Sequence, residues 1–274
     1  MSLGYCFQTG VSTLKSYSDG LEVIGNNISN VSTTGFKKSR AEYADSFYDK
    51  LVTSSSKPSQ VGSGTHVSQV STQFGTEDSK YTGKESDLAI NGNGFFRVTD
   101  PSDGTTFFTR GGNFKRDPSG YLTTSEGYRL QGANTLSGGA IQVPDTATNP
   151  TTGKIENVAS WSFSATTGEL SLYFSDGTSL KGGQVQLSSF ANPEGLKKQG
   201  GNVFKQTPDA GARSDFAPGT DTGASVTSQY LEKSNVDLTE EMTNMIVVQR
   251  GFQAGSRVIT TTDQLMQDAI KMKS

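Results

Sequence analysis

The stretch LGYCFQTGVSTLKSYSDGLEVIGNNISNV, residues 3–31, decides how the rest of the chain is read. Apolar side chains fall at Leu3, Phe7, Val11, Leu14, Tyr17, Leu21, Ile24, Ile28 and Val31, in steps of three and four. That is the near-heptad seam of a helix made to lie along another helix. The other face carries Gln8, Lys15, Ser18, Glu22 and Asn26. Gly4, Gly10, Gly20 and Gly25 each cost about 1 kcal/mol relative to alanine, so this helix is marginal alone.

The far end of the chain mirrors it. Leu238, Met242, Met245, Phe252, Ile259, Met266 and Ala269 follow a similar seam, loosened by Gly251 and Gly255 and carrying Gln249, Thr262 and Asp263 on or beside it. Asp237 and Glu240 have the spacing of a capping box, in which the Asp oxygen accepts a free backbone N–H and the Glu reaches back. Three acidic residues between Asp237 and Glu241 suit the positive end of the helix dipole better than a cation site. At ~1.5 Å per residue each helix reaches ~40 Å. Such seams are expected to pack on each other and on neighbouring copies rather than inside a middle domain.

Between the helices the period changes to two. Leu88, Ile90, Phe96 and Val98 alternate about Asn91-Gly92-Asn93-Gly94, which predicts a tight hairpin because Asn-Gly favours positive φ. Strand-like runs follow at 106–110, 120–124, 161–163, 170–174 and 185–187, with Asp117-Pro-Ser-Gly120 as a turn. Ser54–Ser63 and Thr207–Thr227, rich in Ser, Gly, Asp and Pro, read as extended linkers. The expected fold class is α+β: terminal helices paired as a coiled-coil-like inner domain, and a mainly antiparallel β middle domain. The expected divisions are 1–34 (N-terminal helix), 35–86 (extended linker and hairpin region), 87–206 (β-rich outer domain), 207–232 (extended return) and 233–274 (C-terminal helix).

Composition narrows the function. The 274 residues, 32% hydrophobic, suffice for an ordinary core. A net charge of −3 without like-charge runs offers nothing to nucleic acid or an anionic membrane. No apolar stretch approaches the ~20 residues of a membrane span, and no cleavable signal is expected at the N-terminus. The single cysteine, Cys6, forms no internal disulfide; its place on the seam suggests a small packing residue rather than a nucleophile.

Catalysis has few candidates. His66 is the only histidine, which excludes paired-histidine metal motifs, and a structural role at a strand edge outweighs a triad role. Gly92-Asn-Gly94 lacks the third glycine and the helix of a dinucleotide loop. Asp87, Asp100, Asp103, Asp117 and Glu126 lie near turns, where solvated carboxylates are ordinary, rather than forming a glycosidase pair. No metal or organic cofactor is indicated.

The segment Leu21-Glu-Val-Ile-Gly-Asn-Asn-Ile-Ser-Asn-Val-Ser-Thr-Thr-Gly-Phe-Lys-Lys38 resembles the N-terminal signature of bacterial flagellar rod and hook proteins, through Asn26, Asn27, Asn30, Gly35 and Phe36. Leu231-Glu-Lys-Ser-Asn-Val-Asp-Leu238, with Ser234 and Asn235, and Asn244-Met-Ile-Val-Val-Gln-Arg250, with Gln249 and Arg250, are similar to the C-terminal signature. Residues 87–96, 109–114 and 190–196 are similar to recurrent middle segments of the same family.

The resemblance implies a structural subunit that polymerises with itself into a helical tube, with terminal helices inside and a β domain outside. Its implied partners are neighbouring rod, hook-cap and hook-filament junction proteins and the flagellar type III export gate, through which the chain passes without cleavage to lie in the flagellum. Tyr43 and Phe47, in Tyr43-Ala-Asp-Ser-Phe47, resemble a hook segment implicated in export-gate recognition; an amphipathic turn is the other reading. The wording of 236–238 and 249–252 leans toward a short hook protein, with a distal rod subunit as the alternative. A secreted carbohydrate-binding or carbohydrate-cleaving β protein is the alternative of another class.

Overall fold

The computed structural model of the chain describes residues 3–46, 48–51, 59–133, 135, 139–151, 153–219 and 223–273. They form two compact units. One comprises Met1–Val31, Lys38–Gln73 and Val236–Ser274; the other comprises Ser32–Lys37 and Phe74–Asn235.

The first unit holds helices α1 (Leu3–Ser29) and α2 (Leu238–Lys273). It also holds strands β1 (Ser39–Asp45), β2 (Tyr48–Leu51), β3 (Ser59–Gly62) and β4 (Thr65–Thr72). β1 pairs with β4 and β2 with β3, both antiparallel, so of the expected linker at 35–86 the described part of 38–73 folds into ribbons grouped with the helices, whereas 35–37 and 74–86 belong to the second unit. Residues 54–58 of the expected Ser54–Ser63 linker lie outside the described residues. The α2 start is capped by Asp237 Oδ1, which accepts from the N–H groups of Thr239 (2.7 Å) and Glu240 (3.3 Å). The second arm of the expected capping box goes elsewhere: the Glu240 carboxylate pairs with Lys38 Nζ at 3.0 Å. No helix among the described residues is long and apolar enough to cross a membrane.

The second unit begins with β5 (Ser79–Tyr81), β6 (Leu88–Asn91), β7 (Phe95–Thr99) and β8 (Thr106–Thr109). Short strands follow: β9 (Lys115–Arg116), β10 (Leu122–Thr123), β11 (Arg129–Leu130), β12 (Gly132–Ala133) and β13 (Thr146–Thr148). Then come β14 (Ile155–Phe163), β15 (Glu169–Phe174), β16 (Ser179–Val185), β17 (Leu187–Phe190) and β18 (Lys197–Gly200). The unit ends with β19 (Val203–Lys205), β20 (Arg213–Phe216), β21 (Ser225–Ser228) and β22 (Tyr230–Glu232).

A nine-stranded sheet is built around β7 and β8, a five-stranded sheet runs β12-β16-β15-β14-β13, and β6 and β5 pair with β21 and β22. The ladders are antiparallel. β7 is buried on both faces. Phe96 and Val98 enter a core with Leu88, Leu130, Leu170 and Val185, whereas Phe95 joins a separate aromatic cluster with Phe108, Phe190 and Phe204. Rings in that cluster meet edge to face, with centroids 4.8 Å apart for Phe108 and Phe190.

Two expectations about this unit need correction. The chain does turn at Gly92 and Gly94, both at positive φ, but β6 and β7 do not form a hairpin. β6 pairs instead with β21, and the Gly92 carbonyl accepts from Arg110 Nη2 at 3.0 Å. The turn is a corner between sheets. The described part of 207–227 is also more than a linker, since it contains a short 3-10 turn (Pro208–Ala210), β20 and part of β21. Its buried residues are Ala210, Pro218, Ala224 and Val226, irregularly spaced and mostly small, which leaves little periodic signal in the sequence.

Candidate functional site

In the first unit α1 and α2 run antiparallel, in a register read from four close approaches. A Cβ added at Gly10 would lie 2.7 Å from Ile259 Cγ1, and one at Gly251 2.6 Å from the Tyr17 ring. One at Gly255 would lie 3.4 Å from Leu14 Cδ2, and one at Gly20 3.8 Å from Val248 Cγ1. These glycines weaken each helix alone, but they let the two backbones come together. The line of contact on α2 therefore runs through Glu241, Met245, Val248, Gly251, Gly255, Ile259, Thr262 and Met266 rather than along the purely apolar row.

That rotation divides the expected seam residues. Leu14, Leu21, Ile24, Ile28, Met245, Ile259 and Met266 are half-buried. Phe7, Val11, Leu238, Met242 and Phe252 remain exposed. The Leu3 side chain lies outside the described side chains. Cys6 is also exposed, which corrects its expected packing role. α2 further presents Val247, Val258, Leu265 and Met272, from 45% to 84% exposed, spaced by eleven and seven residues and so on one side of the helix. The sequence reading missed this second row because it followed the first.

The motif asparagines have distinct tasks. The buried Asn27 carboxamide donates to the Ser39 carbonyl at 2.8 Å and accepts from the Ser39 N–H at 2.9 Å, fixing the start of β1 on α1. Asn30 Nδ2 donates to the Asn26 carbonyl at 2.8 Å and to Asn26 Oδ1 at 3.0 Å, tying down the last turn of α1. Gln249 and Arg250 are exposed on α2. Tyr43 lies on β1 with its hydroxyl against Gly20, and burial together with Tyr17 and Asp19 pushes its pKa up. Phe47 lies outside the described residues. His66 is exposed on β4, its Nδ1 3.5 Å from Ser46 Oγ.

In the second unit the remaining motif residues join the segment at which the chain enters, Ser32–Lys37, to the segment at which it leaves, 232–235. The Gly35 N–H donates to the Glu232 carbonyl at 2.9 Å, and the Asn235 N–H donates to the Phe36 carbonyl at 3.3 Å. Ser234, between them, has a buried hydroxyl. Gly35 sits at φ 65°, and an added Cβ would fall 2.6 Å from the Arg110 carbonyl, so glycine is required on two counts. Below the crossing lies a charged cluster that the sequence reading did not find. Lys37 Nζ meets Glu232 Oε1 and donates to the Gly75 carbonyl at 2.6 Å, while Arg110 Nη1 lies 3.4 Å from Glu232 Oε2. All three side chains are buried. Two cations on one carboxylate leave a surplus positive charge, and burial is the largest cause lowering the Lys37 pKa. The cluster is a structural joint: Lys37 and Arg110 each engage the Glu232 carboxylate, while Arg110 Nε is buried without a hydrogen-bond partner among the described residues.

Comparison with known proteins agrees with this division of the motifs. The family described as "Flagella basal body rod protein" matches residues 7–37, "Flagellar hook protein FlgE/F/G D1 domain" matches residues 89–158, and "Flagellar basal body rod FlgEFG protein C-terminal" matches residues 227–272. The chain is 37% identical to the flagellar basal-body rod protein FlgG of Bacillus subtilis (strain 168) over 274 residues, covering 97% of each chain. It is 34% identical to that of Agrobacterium fabrum (strain C58) over 255 residues, covering 89% of this chain and 90% of the relative. The flagellar hook protein FlgE of Escherichia coli (strain K12) is 26% identical over 410 residues, covering 97% of this chain and 100% of the relative. The chain belongs to the flagellar rod and hook protein family, structural subunits of the flagellum and not enzymes.

Proposed function

We propose that the chain is a distal rod subunit of the basal body, polymerising with itself through its terminal helices, which act as a coiled-coil-like inner layer. The carrying observation is the match of length as well as sequence to the rod relatives. The Bacillus subtilis rod protein aligns over 97% of both chains, whereas the Escherichia coli hook protein needs 410 aligned positions against a chain of 274. The preference for hook drawn from short motifs gives way to this whole-chain comparison.

The exposed rows on α1 and α2 support self-assembly, since they set large apolar side chains in water on one side of a helix. A non-closing, heterologous contact repeated along an axis generates a helical tube. Helices weakened by glycine pass unfolded through a type III export gate and order when neighbours cover them. Tyr43 is the described candidate for recognition by that gate. The finished tube sits among other rod proteins and, farther out, the hook-cap and hook-filament junction proteins.

Imaging a labelled copy on purified hook-basal bodies tests the reading. Label within the straight shaft is the expected result. Label on the curved external segment would assign the chain to the hook instead, the reading that the Tyr43-Ala-Asp-Ser-Phe47 wording favours.

A further inference from the structure

An asparagine or aspartate followed by glycine can close a ring on its own backbone, because glycine leaves its nitrogen unshielded by a side chain. The chain holds five such pairs: Asp19-Gly20, Asn91-Gly92, Asn93-Gly94, Asp103-Gly104 and Asp176-Gly177. The fold restrains four of them. Asp19 and Gly20 lie inside α1, where the helix ladder holds the Gly20 N–H. Asp103 Oδ1 accepts from the Thr105 N–H at 2.8 Å, and Asp176 Oδ1 accepts from the Thr178 hydroxyl at 2.6 Å and its N–H at 2.9 Å. These bonds hold both carboxyls below the usual carboxylate range, and an ionised carboxylate is a poor centre for attack. Asn91 belongs to β6, paired with Ser225 of β21, and its Nδ2 donates to Thr227 Oγ1 at 2.9 Å.

Asn93 lacks these restraints. It is exposed at the corner between β6 and β7, and its carboxamide has no hydrogen-bond partner among the described residues. Gly94 follows at φ 149°, a conformation that L side chains rarely adopt, so the corner itself demands the reactive neighbour. We propose that Asn93 is a site of spontaneous deamidation, with water as the only reagent. The Gly94 backbone nitrogen attacks Asn93 Cγ. The N–Cγ bond forms, the Cγ–Nδ2 bond breaks, and the Gly94 amide proton leaves with the Nδ2 group as ammonia. Water then opens the succinimide ring at Cγ to give aspartate, or at the Asn93 main-chain carbonyl to give isoaspartate. Either product puts a carboxylate at the corner. Isoaspartate also adds a methylene to the backbone just after the Gly92 carbonyl, which accepts from Arg110 Nη2 at 3.0 Å, so the change bears on the buried charged joint.

The unfolded chain is the reference, since in guanidinium chloride both Asn-Gly pairs lose their restraints. The purified full chain is held at mildly alkaline pH, folded or in guanidinium chloride, then digested, and fragmentation mass spectrometry locates the changed residue. Unfolded, Asn91 and Asn93 should deamidate alike. Folded, the amide-to-acid mass shift should collect at Asn93, with isoaspartate among the products and an acidic shift in isoelectric focusing. Asn91 should lag by about tenfold or more, the delay of a site that must open locally before it reacts. Thr227→Ala frees the Asn91 carboxamide and should shorten that lag, and Asn93→Gln should remove the shift at position 93. A folded chain in which Asn91 keeps pace with Asn93, or in which Asn93 changes only when unfolded, overturns the assignment. Those results leave the rod reading intact, because the place of the subunit in the shaft is decided separately by imaging.

Discussion

Lys37 and Glu232 stand 195 positions apart in the chain, yet Lys37 Nζ lies 2.5 Å from Glu232 Oε1 and neither side chain reaches solvent. Arg110 approaches the second oxygen of the same carboxylate. The segment Ser32–Lys37 that enters the β unit and strand β22 near its exit are thus joined by charge as well as by the Gly35–Glu232 backbone bond.

The charge count predicts unequal effects at the two ends of this pair. Glu232→Gln leaves two buried cations without their anion and should cost about 3–5 kcal/mol in urea unfolding. Lys37→Met leaves Arg110 and Glu232 as a balanced pair and should cost clearly less. Equal losses for the two variants would mean that the surplus charge plays no part.

The same cluster predicts a pH dependence. Burial lowers the Lys37 pKa from its ordinary 10.5; Glu232 opposes the drop, Arg110 adds to it, and Glu77 makes a smaller opposing contribution. Between the lowered value and 10.5 the unfolded chain binds more protons than the folded one, so stability rises with pH in that window and is lowest below it. Urea midpoints measured from pH 7 upward should climb on the alkaline side, and the climb should shrink in Lys37→Met. A flat profile in the native chain would remove Lys37 as its source.

Two glycines of the helix pair should respond oppositely to alanine. A Cβ at Gly25 meets nothing within 4 Å, so Gly25→Ala should gain about 0.5–1 kcal/mol of helix stability. At Gly251 the Tyr17 ring lies 2.6 Å from the added atom, and Gly251→Ala should lose about 1–3 kcal/mol through overpacking. Thermal melts followed by circular dichroism separate the two signs.

Asn27 predicts a test of the motif itself. Asn27→Asp keeps the acceptor for the Ser39 N–H but sets a carboxylate against the Ser39 carbonyl, and should cost about 1–3 kcal/mol. Asn30→Asp, at the partly exposed end of α1, should cost less. Unfolding midpoints of the two variants give the order.

These cases also show which parts of the molecule are legible in the sequence. The two helices, the β character of the middle and the turn residues follow from local periodicity and chemistry, which a single pass along the chain detects. The pairing of β6 with β21 is a contact between distant residues with no local signature, so the Asn-Gly turns suggested a hairpin that the chain does not make. The charged joint is hidden for the same reason, since Lys37, Arg110 and Glu232 look like ordinary surface residues until the fold gathers them. The helix contact was partly visible. In the sequence Gly10, Gly251 and Gly255 show only a cost to an isolated helix, and their use in close approach appears once both helices are placed together.

The division of α2 into a covered line and an exposed row gives the sharpest separation of folding from assembly. Leu265 is 61% exposed, so Leu265→Glu should leave the monomer within about 0.5 kcal/mol of the native chain. Its new charge falls on the row with Val258 and Met272, where a neighbouring copy would have to desolvate it, so straight shafts and motility should be lost. Ile259 lies on the line that meets Gly10, and Ile259→Glu should instead loosen the helix pair itself, costing about 2 kcal/mol before any assembly is asked for. Melting curves of the monomers, set beside electron micrographs of basal bodies, distinguish the two. If Leu265→Glu assembled normally, the exposed row would not be an assembly surface, and the contacts between copies would have to lie elsewhere on the helices.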